Sequence, residues 1–289
     1  MGCRTPNVAP LEGLTVRTLA IANQKGGSAK TTTAVNLAAT LGERGCRVLL
    51  LDLDPQASAS QWYGITNAGR GLLDVLVEHG TLEALVQPTG AAGVDLVPAS
   101  TWLVGVEKAL AGESGAETLL RRRLEALPAD RWAYVVVDCP PTLGLLTVNA
   151  LAAVQAVLVP VEAHVMALQG LAQLLQTVEV VKARLNPALA IAGILACRVH
   201  ARTRHAQEVV EELRRRFGDL VYQVVIRDNV RLAECPSFGC PITHYAPRSP
   251  GAEDYRALAT EVLQRQGDVP HGQGQAPHDR HQSPRRRRP

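Results

Sequence analysis

Asn23–Thr33 reads NQKGGSAKTTT, and the reading of this stretch decides the fold. A phosphate-binding loop of the common kind reads G-x-x-x-x-G-K-[ST]. Set on Lys30 and Thr31, that pattern puts its two glycines on Gln24 and Ala29. The glycines present, Gly26 and Gly27, sit elsewhere, and an extra lysine, Lys25, precedes them. The flanks are those a phosphate loop needs. RTLAIAN, Arg17–Asn23, is a short apolar run that stops at the glycines, as a buried strand would. KTTTAVNLAATLGERG then carries apolar residues at helical spacing and stops at Gly45. Backbone N–H groups of such a turn can cradle phosphates, and the helix N-terminus favours negative charge. Lys30 would reach the β- and γ-phosphates, and the Thr31 hydroxyl would hold Mg²⁺. Taken alone, the pattern also fits a plain strand-to-helix turn.

Further along, RVLLLDLD and WAYVVVDCPP read as the second and third buried strands, AVLVPVE as a fourth, AIAGILACRV as a fifth and DLVYQVVI as a sixth. Helical patterns separate most of them. Continuous Val/Leu/Ile runs alternating with helices predict an α/β fold of the P-loop NTPase kind, a mostly parallel twisted sheet with helices on both faces. Asp52 and Asp54 fall at the carboxyl end of the second strand, and Asp138 at the end of the third. Ligands of open parallel sheets bind beyond those ends. Three acids and the loop are therefore expected on one rim, where acids can hold Mg²⁺ or orient a water.

The chain has 289 residues, is 46% hydrophobic and only 3% aromatic, so the core must be built from Ala, Val, Leu and Ile. No apolar run is long enough for a membrane span, and the N-terminus lacks a signal-peptide layout. The six cysteines are scattered; Cys235 and Cys240 are the closest pair, without a second pair to complete a zinc site. Residues 1–181 hold 12 Lys/Arg against 16 Asp/Glu, whereas 182–256 hold 12 against 8. Such asymmetry suggests one face for a polyanion. Arg121–Arg123 and Arg214–Arg216 lie on helical patterns between acids and read as solvated faces. Residues 1–16 read as a flexible leader, 17–266 as the ordered phosphate-loop domain, and 267–289, Gly/Gln/His/Pro-rich with a final RRRR run, as a disordered basic tail.

At these residues the chain resembles the ParA/Soj family of partition ATPases, within the deviant Walker A group that includes MinD. That group's loop reads K-G-G-x-x-K-[ST], which KGGSAKT matches throughout. NQKGGSAKTTTAVNLAATL, VLLLDLDPQASAS, VVVDCPPTLGLLTVNAL, ALQGLAQLL and NVRLAECPSFGCPI look like the family's successive blocks. The resemblance implies ATP binding by Lys25, Gly26, Gly27, Ser28, Ala29, Lys30, Thr31 and Thr32. It implies a signature role for Lys25, which reaches across a dimer to the partner's nucleotide, and a water-positioning role for Asp54. Asp52 and Asp138 would lie near magnesium, behind Thr31. Asn229 would lie near the adenine, although the family's usual Pro-Arg-Asn order is here Arg227-Asp228-Asn229.

The resemblance also implies partners: a homodimer formed with ATP, non-specific double-stranded DNA, and a ParB-like centromere-binding protein. Localisation would be cytoplasmic and nucleoid-associated. Candidate DNA contacts are Arg231 in NVRL, Arg202, Arg198 and Arg204 in the segment around HARTRH, and Arg248. Three alternatives remain at this point: an ATPase that positions a protein cargo over the nucleoid, a membrane-cycling ATPase and an ATP-dependent small-molecule ligase. The membrane-cycling form needs a basic amphipathic C-terminal helix, whereas EDYRALATEVLQRQ reads as a packing helix.

Overall fold

A computed structural model describes residues 16–65, 69–77, 80–164, 167–200 and 203–265. Most of the leader, the whole basic tail and Arg202 lie outside the described residues. The strands are β1 (Arg17–Ile21), β2 (Val48–Asp52), β3 (Gln87–Pro88), β4 (Val94–Val97), β5 (Tyr134–Asp138), β6 (Ala156–Glu162) and β7 (Ala190–Cys197). They form one sheet in the order β3-β4-β2-β5-β1-β6-β7. Every pairing is parallel except the short β3–β4 edge. The helices are α1 (Lys30–Glu43), α2 (Ser58–Trp62), α3 (Leu72–Val77), α4 (Val106–Ala109), α5 (Leu119–Glu125), α6 (Leu145–Ala153), α7 (Ala167–Arg184), α8 (Arg204–Phe217), α9 (Val230–Glu234), α10 (Ile242–Tyr245) and α11 (Pro250–Arg265).

Alternate residues of the central strands feed opposite cores, which is why the strands read as unbroken apolar runs. Leu49, Leu51, Val135, Val137, Val157 and Val159 pack with α3, α5, α6, α7 and α8. Leu19, Ile21, Leu50, Tyr134, Val136 and Leu158 pack with α1, α2 and α11. The helix expected over 253–266 is α11, and its Tyr255, Leu258, Ala259 and Val262 are buried against this second core.

The sixth expected strand, within 219–226, is not a strand. The segment follows β7 through isolated bridges, Ile194 to Val221 and Val199 to Arg227, with Tyr222 and Ile226 donating to Ile194 and Ala196. Gly193 explains part of this. Its φ is +156, and a Cβ there would meet Tyr222 at 2.5 Å. The bulge at this point in β7 shifts the ladder, so the neighbouring segment makes single contacts only. Arg121 and Arg123, read as solvated, instead donate to carbonyls of Ala152 and Val75 and tie α5 to its neighbours.

Gly42, in the last turn of α1, lets that helix lie against the β3–β4 turn: a Cβ would meet the Ala92 carbonyl oxygen at 2.1 Å. Overpacking of this kind costs about 1–3 kcal/mol, more than the helix-propensity gain of about 1 kcal/mol. Gly42→Ala should therefore lower stability by a net 1–2 kcal/mol or so, measured as the urea midpoint at unchanged m-value. An unchanged or raised midpoint would show that the turn yields freely.

Candidate functional site

The glycine loop runs from the end of β1 into α1. Gly27 has φ +74, and neither Gly26 nor Gly27 would bring a Cβ within 4 Å of another group. Their bareness therefore leaves the loop's inner surface open rather than relieving a clash. Ala29, the residue before α1, also takes a left-handed conformation, φ 65, and no side chain caps the helix. The first N–H groups of α1 are thus left for a ligand. Two ties hold the loop to β6. Asn23 donates its amide to the Pro160 carbonyl at 2.6 Å and accepts from the Lys25 N–H at 3.1 Å. The Lys25 ammonium lies 3.4 Å from Glu162.

The strand register sets the acids. Asp138 lies level with Ile21 of β1 on one side and with Asp52 of β2 on the other. Both acids are fully buried, and Asp54 and Lys30 are each only 7% exposed. Asp52 is well held: it accepts from the Ser60 N–H and hydroxyl at 2.8 and 2.7 Å and from the Asp54 N–H at 3.2 Å. Burial still pushes it up to about 6. Asp138 has no hydrogen-bond partner on either oxygen. Burial drives it well above the usual carboxylate range, Asp52 adds to this, and the nearby Thr31 hydroxyl opposes it from outside hydrogen-bond geometry. Asp54 accepts from the Gln56 N–H at 2.9 Å and is raised by burial, with Lys30 opposing. Lys30 is lowered by burial, and Asp138 and Asp54 resist that shift. Its ammonium folds back to the Lys25 carbonyl at 3.1 Å.

A cavity of about 580 Å³ opens over the loop. Residues 26–32, Asp54 and Ser58 form one wall, and Arg198 with residues 226–230 forms the other. Thr31 and Asp54 stand on the wall, whereas Asp52, Asp138 and Lys25 do not. Asn229 does line the cavity, and its side-chain oxygen caps α9 by accepting from the Arg231 N–H at 2.9 Å. These features fit a magnesium nucleotide: an uncapped helix start, an open glycine cradle, a buried lysine, the unpartnered Ser28 hydroxyl and an unpartnered buried carboxylate. Among the described residues no cluster of His, Cys, Asp and Glu forms a separate metal site.

A family model described as an AAA domain matches residues 16–191. The chromosome-partitioning ATPase Soj of Thermus thermophilus is 51% identical over 86% of this chain and 96% of its own length. The chain belongs to the ParA/Soj family of partition ATPases. The sporulation initiation inhibitor Soj of Bacillus subtilis is 46% identical over 84% of this chain and 97% of its own. A solved cobyrinic acid a,c-diamide synthase from Mycobacterium smegmatis, with bound ADP and magnesium, is 34% identical with a TM-score of 0.76, over 87% of this chain and 96% of that one.

The candidate DNA residues of this ParA/Soj chain are spread out. Arg231 is exposed beside Glu234 at 2.9 Å and Tyr245 at 3.4 Å. Arg204 and Arg248 are exposed. Arg198 instead lines the cavity and pairs with Glu162 at 3.3 Å. The sequence reading missed Asn23, Glu162, Asp228 and Tyr255 around this site. For Glu162 the signal was available: β6 and β7 end on the same rim, so the last residue of VLVPVE belonged with Asp52 and Asp138.

A carboxylate raised on folding keeps its proton in the native state after the unfolded chain has released it, so stability falls as pH rises through that window. Without nucleotide, Asp52 and Asp138 should make the protein lose stability from about pH 4 to above 6. Asp138→Asn should remove its share, so its gain in Tm over the wild type should be a few degrees larger at pH 8 than at pH 5, since each pKa unit is worth about 1.4 kcal/mol. Calorimetry at the two pH values checks this. A constant difference would show that Asp138 is not held neutral by burial.

Proposed function

We propose that the chain is a magnesium-dependent ATPase of DNA partition that dimerises on ATP, binds DNA without sequence preference and is released when a ParB-like partner stimulates hydrolysis. One observation carries this reading: the loop carries two lysines, of which one lines the cavity and the other does not. Lys30 is buried on the cavity wall, while Lys25 stands off that wall with 38% of its side chain exposed. A single nucleotide needs only Lys30. The second ammonium, off the cavity wall and half-exposed, suits a second copy's phosphates once it leaves Glu162, as a finger supplied in trans does in other phosphoryl-transfer sites. Two such copies would enclose two nucleotides in a symmetric pair.

In this reading residues 26–32 hold the phosphates through backbone N–H groups and Lys30. Magnesium, when bound, neutralises phosphate charge; Thr31 holds it, with Asp52 and Asp138 behind. Asp54, buried on the wall with one lone pair engaged by Gln56, orients a water by accepting its hydrogen bond. Weak turnover without a partner follows if Lys25 of a second copy is needed to complete the site. Asn229 lies where the cavity's far wall can meet a base. Arg231, Arg204 and Arg248 supply phosphate contacts on DNA, and Arg202 is assigned there as well, from the resemblance alone. The pair of Arg231 with Glu234 is exposed, worth little, and easily exchanged for a phosphate. No described helix is long and apolar enough to cross a membrane, and the expected setting is the cytoplasm over the nucleoid. The diamide synthase name of one solved relative favours a second reading, ATP-driven amide formation on a small acid. Stimulation of turnover by DNA and its partner, against stimulation by an amide donor, separates the two.

Lys30→Ala should abolish ATP binding in isothermal titration, and wild-type affinity would sink the phosphate loop. Asp54→Ala should bind ATP but not hydrolyse it, trapping a dimer seen by light scattering; a monomer or normal turnover would contradict its role. DNA affinity should rise sharply with ATP and fall with salt. Because a dimer carries Arg231 twice, Arg231→Glu should weaken DNA binding about tenfold or more and reduce the log-affinity against log-salt slope by about two, with ATP-driven dimerisation intact. DNA binding that is equal without nucleotide would defeat the switch.

A further inference from the structure

Glu162 ends β6 with its two carboxylate oxygens divided between two cations. Oε2 faces the Lys25 ammonium at 3.4 Å, and Oε1 faces the Arg198 guanidinium at 3.3 Å. Arg198 follows β7, at the strand end level with Glu162, and is one of the few non-glycine residues with a left-handed backbone, φ 53. Its guanidinium also approaches Asp228 at 3.9 Å, on the cavity's far wall. The chain of charge Lys25–Glu162–Arg198–Asp228 therefore runs from the glycine loop to the far wall of the cavity. None of the expected roles uses Glu162.

We propose that Glu162 is a positioning residue that latches Lys25 to its own subunit, and that Arg198 is the exchange partner that takes over Glu162 when Lys25 leaves. This rests on the reading that Lys25 acts on a second copy's nucleotide. While Glu162 holds it, Lys25 is tied to the end of β6 in its own subunit and is withheld from a facing copy. Release breaks one ion pair but leaves no bare carboxylate, because Arg198 already occupies the other oxygen. The latch thus sets how much nucleotide and protein are needed before two copies close. It works twice in a symmetric dimer, so a weak exposed pair is felt with the square of its strength.

The two substitutions move assembly in opposite directions. Glu162→Gln removes the charge that holds Lys25, and the ATP-driven dimer, measured in the Asp54→Ala background, should form with a Kd about three- to tenfold lower. Arg198→Ala leaves Glu162 with Lys25 alone and should raise that Kd by a similar factor. Loss of packing would shift both variants the same way. A readout without dimerisation accompanies this: acylation of surface amines in the nucleotide-free protein, followed by mass spectrometry with Lys108 and Lys182 as internal standards. Glu162→Gln should raise Lys25 labelling several-fold. Unchanged labelling overturns the latch. Raised labelling with an unchanged dimer Kd, or with both variants moving together, overturns its part in assembly. If ATP yields no dimer even for the unaltered Glu162 and Arg198, the proposed function has failed, and the labelling shows separately whether the latch exists.

Discussion

Lys30 and the buried carboxylates at the sheet's rim depend on one another. Asp138 and Asp52 lie in full burial, where an ionised carboxyl is costly unless a cation or a set of donors meets it. Asp52 has its donors within the chain, while Asp138 has none that meet hydrogen-bond geometry and relies on Lys30 and Thr31 nearby. Burial in turn pushes Lys30 down from the usual lysine range, and Asp138 and Asp54 resist that shift. The parallel register makes the cluster possible, since it brings Ile21, Asp138 and Asp52 to one level on three adjacent strands. The loop that carries Lys30 then starts within two residues of that level. A site of this kind is polar, poorly satisfied and held together by its scaffold rather than stabilising it.

The scaffold closes around the site in a circuit. α1 starts at Lys30 and packs on α11 through the second core. From α11, Asp254 takes both the side chain and the backbone N–H of Arg227, at 2.6–3.0 Å. Arg227 heads the segment 227–229 that forms the cavity's far wall, and Tyr255, next to Asp254, reaches Thr33 of α1 at 3.3 Å. The two walls are thus fixed to each other through one helix pair. This accounts for a departure noted in the sequence: Arg227 and Asp228 stand where the family has Pro-Arg, and Arg227 is engaged internally while Asp228 faces the cavity with Arg198.

Legibility followed burial. β1, β2, β5, β6 and β7 were read from the sequence because strands covered on both faces are continuous apolar runs, and α1 and α11 because their periodicity is strong. The β3–β4 edge was not read: VDLV is four residues long and carries Asp95, whose carboxylate accepts from Trp132 at 2.9 Å instead of facing solvent as a period-two pattern implies. The segment 219–226 has strand composition but meets Gly193 and the bulge in β7, a tertiary obstacle no local pattern records. In the site, the loop and its acids were legible because their spacing is dictated by phosphate chemistry. Glu162 and Arg198 were not, because their pairing depends on two strands 35 positions apart ending at one level.

The basic balance of residues 182–256 overstates the charge available to a polyanion. Arg215 and Arg216 share the single carboxylate of Glu212 within one helix, and Arg227 is engaged by Asp254 and Glu253. Arg256 reaches back to Glu43, Arg214 caps the Gln223 carbonyl and Arg198 serves Glu162. What is left outward on the described surface is a smaller set that includes Arg204 and Arg248, with Arg231 held only by its exposed pair with Glu234. A set that small binds a polyanion weakly in one copy. Doubling it in a rigid pair converts the second group of contacts into an intramolecular event, and the effective concentration does what charge alone does not. If the proposed function holds, sparse positive charge suits it, since a densely basic surface would hold DNA whether or not the two copies were joined.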